Sequence, residues 1–269
     1  MFAMRQPAVA GQFYPRDPEA LAREVSRLLG VVREGPALAV VAPHAGYVYS
    51  GAIAGATFAQ VTVPVSAIVL CPNHTGLGAR RSLWPKGRWR LPGGDLEVDE
   101  GLAAALAQRA ALVADPLAHE SEHAVEVQLP FLRARNPSVR VVPLCLAAIS
   151  SIECVALGEA IAEVVGARPG QVLLVASTDL SHYIPADEAR ALDGLALARI
   201  EAVDPEGLYR VVRESDLSMC GVIPTTVVLA AARALGARRA RLVRYGHSGE
   251  ASGDFSRVVG YAGLVVEPS

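Results

Sequence analysis

The chain has 269 residues, a length that fits one large α/β domain or two small ones. Hydrophobic residues make up 52% of the chain, but no window approaches the roughly 18 to 20 continuous apolar residues of a membrane span, so we predict a protein without a membrane segment. The net charge of −2 is spread without a basic stripe, which argues against a nucleic-acid partner, and the first residues lack a secretory signal, which predicts a cytoplasmic location.

Short apolar, β-branched runs alternate with longer alanine-rich stretches along the chain. This pattern is typical of an α/β domain with a mostly parallel central sheet and helices on both faces. Strands are predicted over residues 37–42, 67–71, 140–146, 171–176, 241–245 and 258–266. Helices are predicted over residues 17–29, 99–111, 122–135, 152–165, 186–202, 205–213 and 223–235.

No internal repeat and no long linker interrupts this alternation, so residues 1–269 are predicted to form a single domain. The polar stretch 75–97, which holds both tryptophans, indicates an excursion between sheet elements, such as a small hairpin or a flap.

Three histidines follow predicted strands. His44 lies in PHAGYVYSG, His74 in CPNHTG and His182 in STDLSHY. Ligands of open α/β sheets bind outside the carboxyl ends of the strands, so this placement favours a shared functional site. With six histidines in the chain, the coincidence also has a chance explanation.

Cys220 directly precedes a strongly helical run, near the positive end of the helix dipole. This position lowers a thiol pKa and favours the thiolate, which is a nucleophile and a metal ligand. A buried apolar role at a turn is the alternative. The remaining cysteines are assigned to structural positions, two in strands and one in a helix; they are Cys71, Cys145 and Cys154.

Two imidazoles and one thiolate, from His44, His74 and Cys220, suit Fe(II), Cu or Zn, whereas the soft sulfur disfavours magnesium and calcium. Asp179 and His182, three residues apart, are then candidates for an acid/base pair, or His182 for a further ligand.

The literal HExxH at residues 119–123 has the form of a zinc-protease motif. We predict that it is not one, because Ser121 has the character of a helix N-cap, which would leave His119 outside the helix. His123 and Glu126 would then lie one turn apart on that helix and orient a ligand or substrate, or form a solvated helix start. Tyr47 and Asn73, beside the two strand-end histidines, are further candidates for such roles.

Several segments together resemble those of the Memo family, and within it the prokaryotic branch named AmmeMemoRadiSam system protein B. The segments are PAVAGQFYP, APHAGYVYSG, PNHTG, ESEHAVEVQLPFL, STDLSHY and CG before a helix, and the resemblance covers residues 7–266. It implies a fold similar to that of class III extradiol dioxygenases. It also implies that His44, His74 and Cys220 are metal ligands and that His182, with Asp179, is the acid/base group.

Extradiol dioxygenases complete their iron site with a carboxylate, whereas the resemblance implies Cys220 at that position in this chain. The first hypothesis is therefore a non-haem, dioxygenase-like metal-dependent oxidoreductase. The alternatives are a peptide- or small-molecule-binding scaffold without catalysis, and a zinc-dependent hydrolase. The branch name further implies a pathway association with AMMECR-type and radical SAM proteins.

Overall fold

The computed structural model describes residues 4–268. Its strands are β1 (Met4–Arg5), β2 (Ala39–Ala42), β3 (Ser66–Pro72), β4 (Arg81–Leu83), β5 (Arg88–Trp89), β6 (Leu96–Glu97), β7 (Val113–Ala114), β8 (Arg140–Leu146), β9 (Val172–Ser177), β10 (His182–Ile184), β11 (Ala240–His247) and β12 (Val258–Val266). Its helices are α1 (Pro18–Leu29), α2 (Tyr47–Phe58), α3 (Glu100–Arg109), α4 (Leu117–Glu120), α5 (Leu129–Arg135), α6 (Ser151–Gly166), α7 (Ala186–Glu201), α8 (Pro205–Glu214), α9 (Val222–Ala234) and α10 (Gly249–Ser252). A 3₁₀ turn at Glu126–Gln128 precedes α5.

The main sheet is mixed, with a parallel centre. Its strand order is β10-β12-β2-β9-β3-β8-β4-β7, and β11 also pairs with β12, in antiparallel fashion. The strands β2, β9, β3 and β8 are parallel neighbours, whereas β12 joins β2 and β4 joins β8 in antiparallel fashion. The predicted α/β class is confirmed.

The central strands are covered on both faces. All residues of β2, β3 and β9 are buried, which in a pleated strand requires packing against both sides of the sheet. Helices α1, α2 and α5 pack together, with α2 against β2. Helix α9 packs against β3 and β9, and α6 packs on α9. Within residues 4–268, no helix is both long and apolar enough to cross a membrane.

Helix α2 was not predicted from the sequence. Most of its residues are buried, so its sequence YVYSGAIAGATF carries no alternation of polar and apolar faces. The burial includes a close crossing with α1, where a β-carbon on Gly55 would lie 2.4 Å from the carbonyl oxygen of Leu28. Only glycine allows this approach of the two backbones.

The helix predicted over residues 122–135 is wrong in its first half. Ser121 closes the short helix α4 instead of starting a longer one, and residues 122–125 are not helical, with a turn at residues 124–125 directly before the 3₁₀ turn. The Glu122 side chain accepts hydrogen bonds from His74, in another loop, so long-range contacts shape this segment.

The excursion at residues 75–97 does contain a hairpin. Strand β4 joins β8 at one side of the main sheet, while β5 and β6 pair antiparallel to each other. Together with β1 they form a separate three-stranded sheet. The start of the described chain is thereby brought next to the excursion.

Candidate metal centre

Three adjacent parallel strands deliver polar side chains to one edge of the sheet. His44 follows β2, Asp179 follows β9 and His74 follows β3, each two residues after the strand ends. Because β9 lies between β2 and β3, the three loops meet at the carboxyl edge.

His44, His74 and His123 form a compact cluster. One nitrogen from each ring lies within 4.8 Å of those of the other two. The His74 and His123 rings are stacked at 4.8 Å, and the His44 ring meets both edge-on. The side chains are 2% (His44), 21% (His123) and 33% (His74) exposed, so the cluster opens to solvent on the His74 side.

A buried hydroxyl fixes the protonation of the His44 ring. Ser177 donates its hydroxyl hydrogen to the Ala124 carbonyl at 2.6 Å, and Nδ1 of His44 lies 3.0 Å from the same hydroxyl oxygen. Since a hydroxyl has one hydrogen to give, Nδ1 of His44 must be the donor in the second contact. Its Nε2 therefore presents a lone pair to the cluster.

Glu122 lies behind His74. Its Oε2 accepts a hydrogen bond from the His74 backbone N–H at 2.7 Å, and its Oε1 accepts one from the ring Nδ1 at 2.9 Å. Burial alone would raise the pKa of Glu122, but the hydrogen bond and charge of His74 and the N–H of Ala124 lower it to about 2. In the neutral His74 ring this hydrogen bond places the hydrogen on Nδ1 and leaves a lone pair on Nε2.

The environment keeps the inner imidazoles neutral. Burial, aided by the neighbouring His74, lowers the pKa of His44 to about 3. Burial and then the nearby His44 lower the pKa of His123 to about 4, and the Phe13 ring packs against His123 at 4.8 Å. Neutral imidazole is the form that binds metal ions.

Cys220 lies beside His44 and outside the group of three. Its Sγ is 3.2 Å from Nε2 of His44 and accepts a hydrogen bond from the backbone N–H of Asp179 at 3.3 Å. A β-carbon on the adjacent Gly221 would lie 2.3 Å from Cβ of Thr178, so glycine permits this approach.

The predicted position of Cys220 before a helix is confirmed, since α9 begins at Val222. The predicted lowering of its pKa is wrong. Burial, together with the Asp179 carboxylate, raises the pKa of the thiol well above its usual range. These effects outweigh the helix terminus, because desolvation penalises the thiolate more than a partial dipole charge stabilises it.

Asp179 and His182 lie next to the cluster. Asp179 accepts a hydrogen bond from the His44 backbone N–H at 2.8 Å, and its Oδ2 is 4.0 Å from Nε2 of His44. Burial raises the pKa of Asp179 to about 6, against the lowering effect of that hydrogen bond and of His182. The His182 Nδ1 donates to the carbonyl of Ser218 at 2.9 Å, which leaves its Nε2 as a base.

The other predicted site residues lie elsewhere. Glu126 is buried and binds the N-terminal segment, through Arg5, the hydroxyl of Tyr14 and the backbone N–H groups of residues 8 and 9. Tyr47 donates its hydroxyl to the Val127 carbonyl. Asn73 is used within its own loop, where its side-chain amide donates to the carbonyl of residue 77.

The HExxH segment has no protease geometry, as predicted. His119 ends up fully buried in α4, with the rings of Trp84 and Trp89 each at 6.0 Å. His123 lies beyond that helix and belongs to the cluster itself, a more direct position than the orienting role predicted for it.

Sequence reasoning missed Glu122, Ser177 and Phe13. Ser177 could have been identified as a candidate, because it is the one polar residue of the strand VLLVAS and stands at its end. Glu122 stands directly before His123, but its contact with His74 spans 48 positions and leaves no local pattern. The contact of Phe13 with His123 is equally remote in the chain.

Comparisons with known proteins place this chain among relatives of nearly the same length. The MEMO1 family protein MK0963 of Methanopyrus kandleri is 41% identical, over 97% of this chain and 98% of that protein. The MEMO1 family protein Mbar_A1422 of Methanosarcina barkeri is also 41% identical, over 98% of this chain and all of that protein (100%).

A solved structure shares the fold. The uncharacterized protein JW3007 from Escherichia coli K12 matches with a TM-score of 0.58 at 14% identity, over 85% of this chain and 98% of that one. The family model described as Memo-like protein matches residues 5–265, nearly the whole chain. The chain therefore belongs to the Memo-like protein family.

Proposed function

We propose that this protein is a metal-dependent oxidoreductase of a small molecule or peptide. In this proposal His44, His74 and His123 hold the metal ion, Cys220 is a further donor, and His182 with Asp179 transfers protons. The observation that carries the proposal is the convergence of three imidazole nitrogens within 4.8 Å at the carboxyl edge of the sheet.

The donor set fits a transition metal. Imidazole nitrogen suits Fe(II), Cu and Zn, and a neighbouring sulfur strengthens the preference for these over magnesium or calcium. The lowered pKa values of His44 and His123 keep both rings neutral at pH 7, so no proton competes with the metal there. Iron or copper in this position would supply single-electron chemistry.

Two groups beside the cluster are suited to proton transfer. Asp179 has a pKa raised to about 6, so its carboxyl can take up or release a proton near neutral pH. His182 is held by two hydrogen bonds to Ser218, one from its backbone and one from its ring. Its free Nε2 is then oriented to accept a proton from an acidic substrate hydroxyl.

The substrate has access from the side of His74, the most exposed of the three cluster histidines. The likeness to extradiol dioxygenases concerns the fold and leaves the substrate open. The pathway association with AMMECR-type and radical SAM proteins stays a prediction.

Elemental analysis of protein purified without oxygen tests the proposal. We expect near-stoichiometric iron or copper in the unmodified protein, its loss in His44→Ala and His123→Ala, and its retention in His182→Ala, which lies outside the ligand set. Stoichiometric zinc with oxygen-independent activity would favour the hydrolase instead. Failure to take up any metal after reconstitution would overturn the proposal in favour of a binding protein.

A further inference from the structure

We infer that Glu122 is a positioning residue shared by His74 and His123, holding both imidazoles with their ligand nitrogens directed into the cluster. The inference deepens the proposed function, since it rests on these histidines binding a metal. It concerns a residue that contacts the histidine rings from behind.

Glu122 accepts two hydrogen bonds from His74. Its Oε2 accepts one from the backbone N–H at 2.7 Å, and its Oε1 accepts one from the ring Nδ1 at 2.9 Å. The first contact fixes where the loop after β3 crosses the sheet edge, and the second fixes the rotation and tautomer of the ring. A carboxylate accepts hydrogen bonds at both oxygens, so it can satisfy the two donors at once.

The same carboxylate reaches the other loop. Its Oε1 accepts the backbone N–H of Ala124 at 3.0 Å and lies 3.4 Å from Nδ1 of His123. The rings of His74 and His123, stacked at 4.8 Å, thus have one common anion behind them. One side chain therefore sets the relative position of two histidines from separate segments.

Glu122 is itself held firmly. It is 1% exposed, and Nη2 of Arg5 donates to its backbone carbonyl at 2.6 Å. Arg5 in turn pairs with Glu126, so the described start of the chain supports the segment that carries Glu122. A preorganised support of this kind limits the motion of the histidine rings.

Glutamate is needed here for a chemical reason. The backbone and ring N–H groups of His74 and the backbone N–H of Ala124 all donate to the two carboxylate oxygens of Glu122. A glutamine in this position would offer only one oxygen and would place its NH₂ group against one of these donors. The carboxylate also makes an imidazole a better donor to a metal, and loss of such a support typically weakens metal binding by about 10- to 100-fold.

The first test compares Glu122→Gln with unmodified protein in Zn²⁺ affinity, measured by competition with a chromogenic chelator. We expect a roughly 10- to 100-fold weaker affinity. Asp99→Asn is the matched control, because Asp99 is also a buried carboxylate but accepts hydrogen bonds from the Ser66 hydroxyl and the Leu102 backbone N–H instead of from a histidine. Its Zn²⁺ affinity should stay within about twofold under conditions in which thermal melts show both variants folded.

The second test needs no metal. Long-range ¹H–¹⁵N NMR spectra of the metal-free protein should show neutral His74 with its hydrogen on Nδ1. Glu122→Gln should lose that single tautomer, while Asp99→Asn should keep it. If the unmodified protein binds no metal, the proposed function fails but this readout still decides the role of Glu122. An unchanged His74 tautomer together with an unchanged Zn²⁺ affinity would overturn the inference.

Discussion

Sγ of Cys220 lies 3.2 Å from Nε2 of His44, although 176 positions separate the two residues. Nitrogen and sulfur ligands of one tetrahedral zinc ion lie about 3.5 Å apart, given bond lengths near 2.0 and 2.3 Å. The same distance also suits a hydrogen bond from the S–H group of Cys220 to the unprotonated Nε2 of His44. Without metal the thiol is held protonated by burial, and a bound cation would favour the thiolate.

We therefore expect Cys220→Ser to change metal preference. A hydroxyl retains the contact with His44 but replaces a soft donor by a hard one, so affinity for Zn²⁺ and Cu should fall by about tenfold or more, with a smaller change for Mn²⁺. Competition titrations with each metal measure the ratio. Equal losses for the soft and hard metals would show that sulfur is not a donor.

Metal-free protein should lose stability as the pH falls from about 6.5 towards 4. His44, His119 and His123 have folded-state pKa values of about 3, 3 and 4, so the unfolded chain binds more protons over this range. Each of these histidines adds to the slope of the free energy of unfolding against pH, by an amount that approaches about 1.4 kcal/mol per pH unit. Asp179 has the opposite effect on stability as the pH falls. Its pKa is raised to about 6 in the folded chain, so the folded chain binds this proton at a higher pH than the unfolded chain does.

His119 isolates part of this effect, because it is buried between two tryptophans away from the cluster. His119→Leu should reduce the loss of unfolding free energy between pH 6.5 and 5 by about 2 kcal/mol. Urea unfolding with a chelator present measures both proteins at both pH values. Identical pH dependence in the two would contradict the assignment.

The Arg5–Glu126 pair should be essential for stability. Both side chains are almost fully buried, and Arg5 also lies 4.5 Å over the Trp89 ring. Removing one partner leaves a buried charge unpaired, so Arg5→Ala should lower the free energy of unfolding by about 3–5 kcal/mol. The double variant Arg5→Ala/Glu126→Ala should cost less than the sum of the single variants, and strict additivity in urea unfolding would contradict the pairing.

Tyr183 adopts a left-handed backbone conformation with φ of 63°, within the register shift between His182 and Ile184. This conformation is costly for most side chains but accessible to asparagine. We expect Tyr183→Asn to be more stable than Tyr183→Ala by about 1 kcal/mol. Both variants lack the tyrosine ring, so the difference between their thermal unfolding chiefly reflects the backbone strain at position 183, and equal stability would contradict the prediction.

Sequence patterns predicted the parts of the fold that local burial controls. The strands over residues 140–146 and 258–266 match β8 and β12 at both ends, because an apolar run bounded by polar residues marks a buried strand directly. Helix α2 escaped prediction because burial on most sides removed its periodicity. Residues 122–128 escaped because hydrogen bonds to remote loops shape them.

The sequence by itself determined that His44, His74 and Asp179 would follow strands, since strand ends are read from local hydrophobic runs. Only the tertiary structure decided that the strands adjoin in the order β2-β9-β3 and that His123 and Cys220 would reach the same edge. Those placements depend on contacts across tens to hundreds of positions, such as Glu122 with His74 and Gly221 against Thr178. Such contacts form only when the packed core has fixed where the loops emerge.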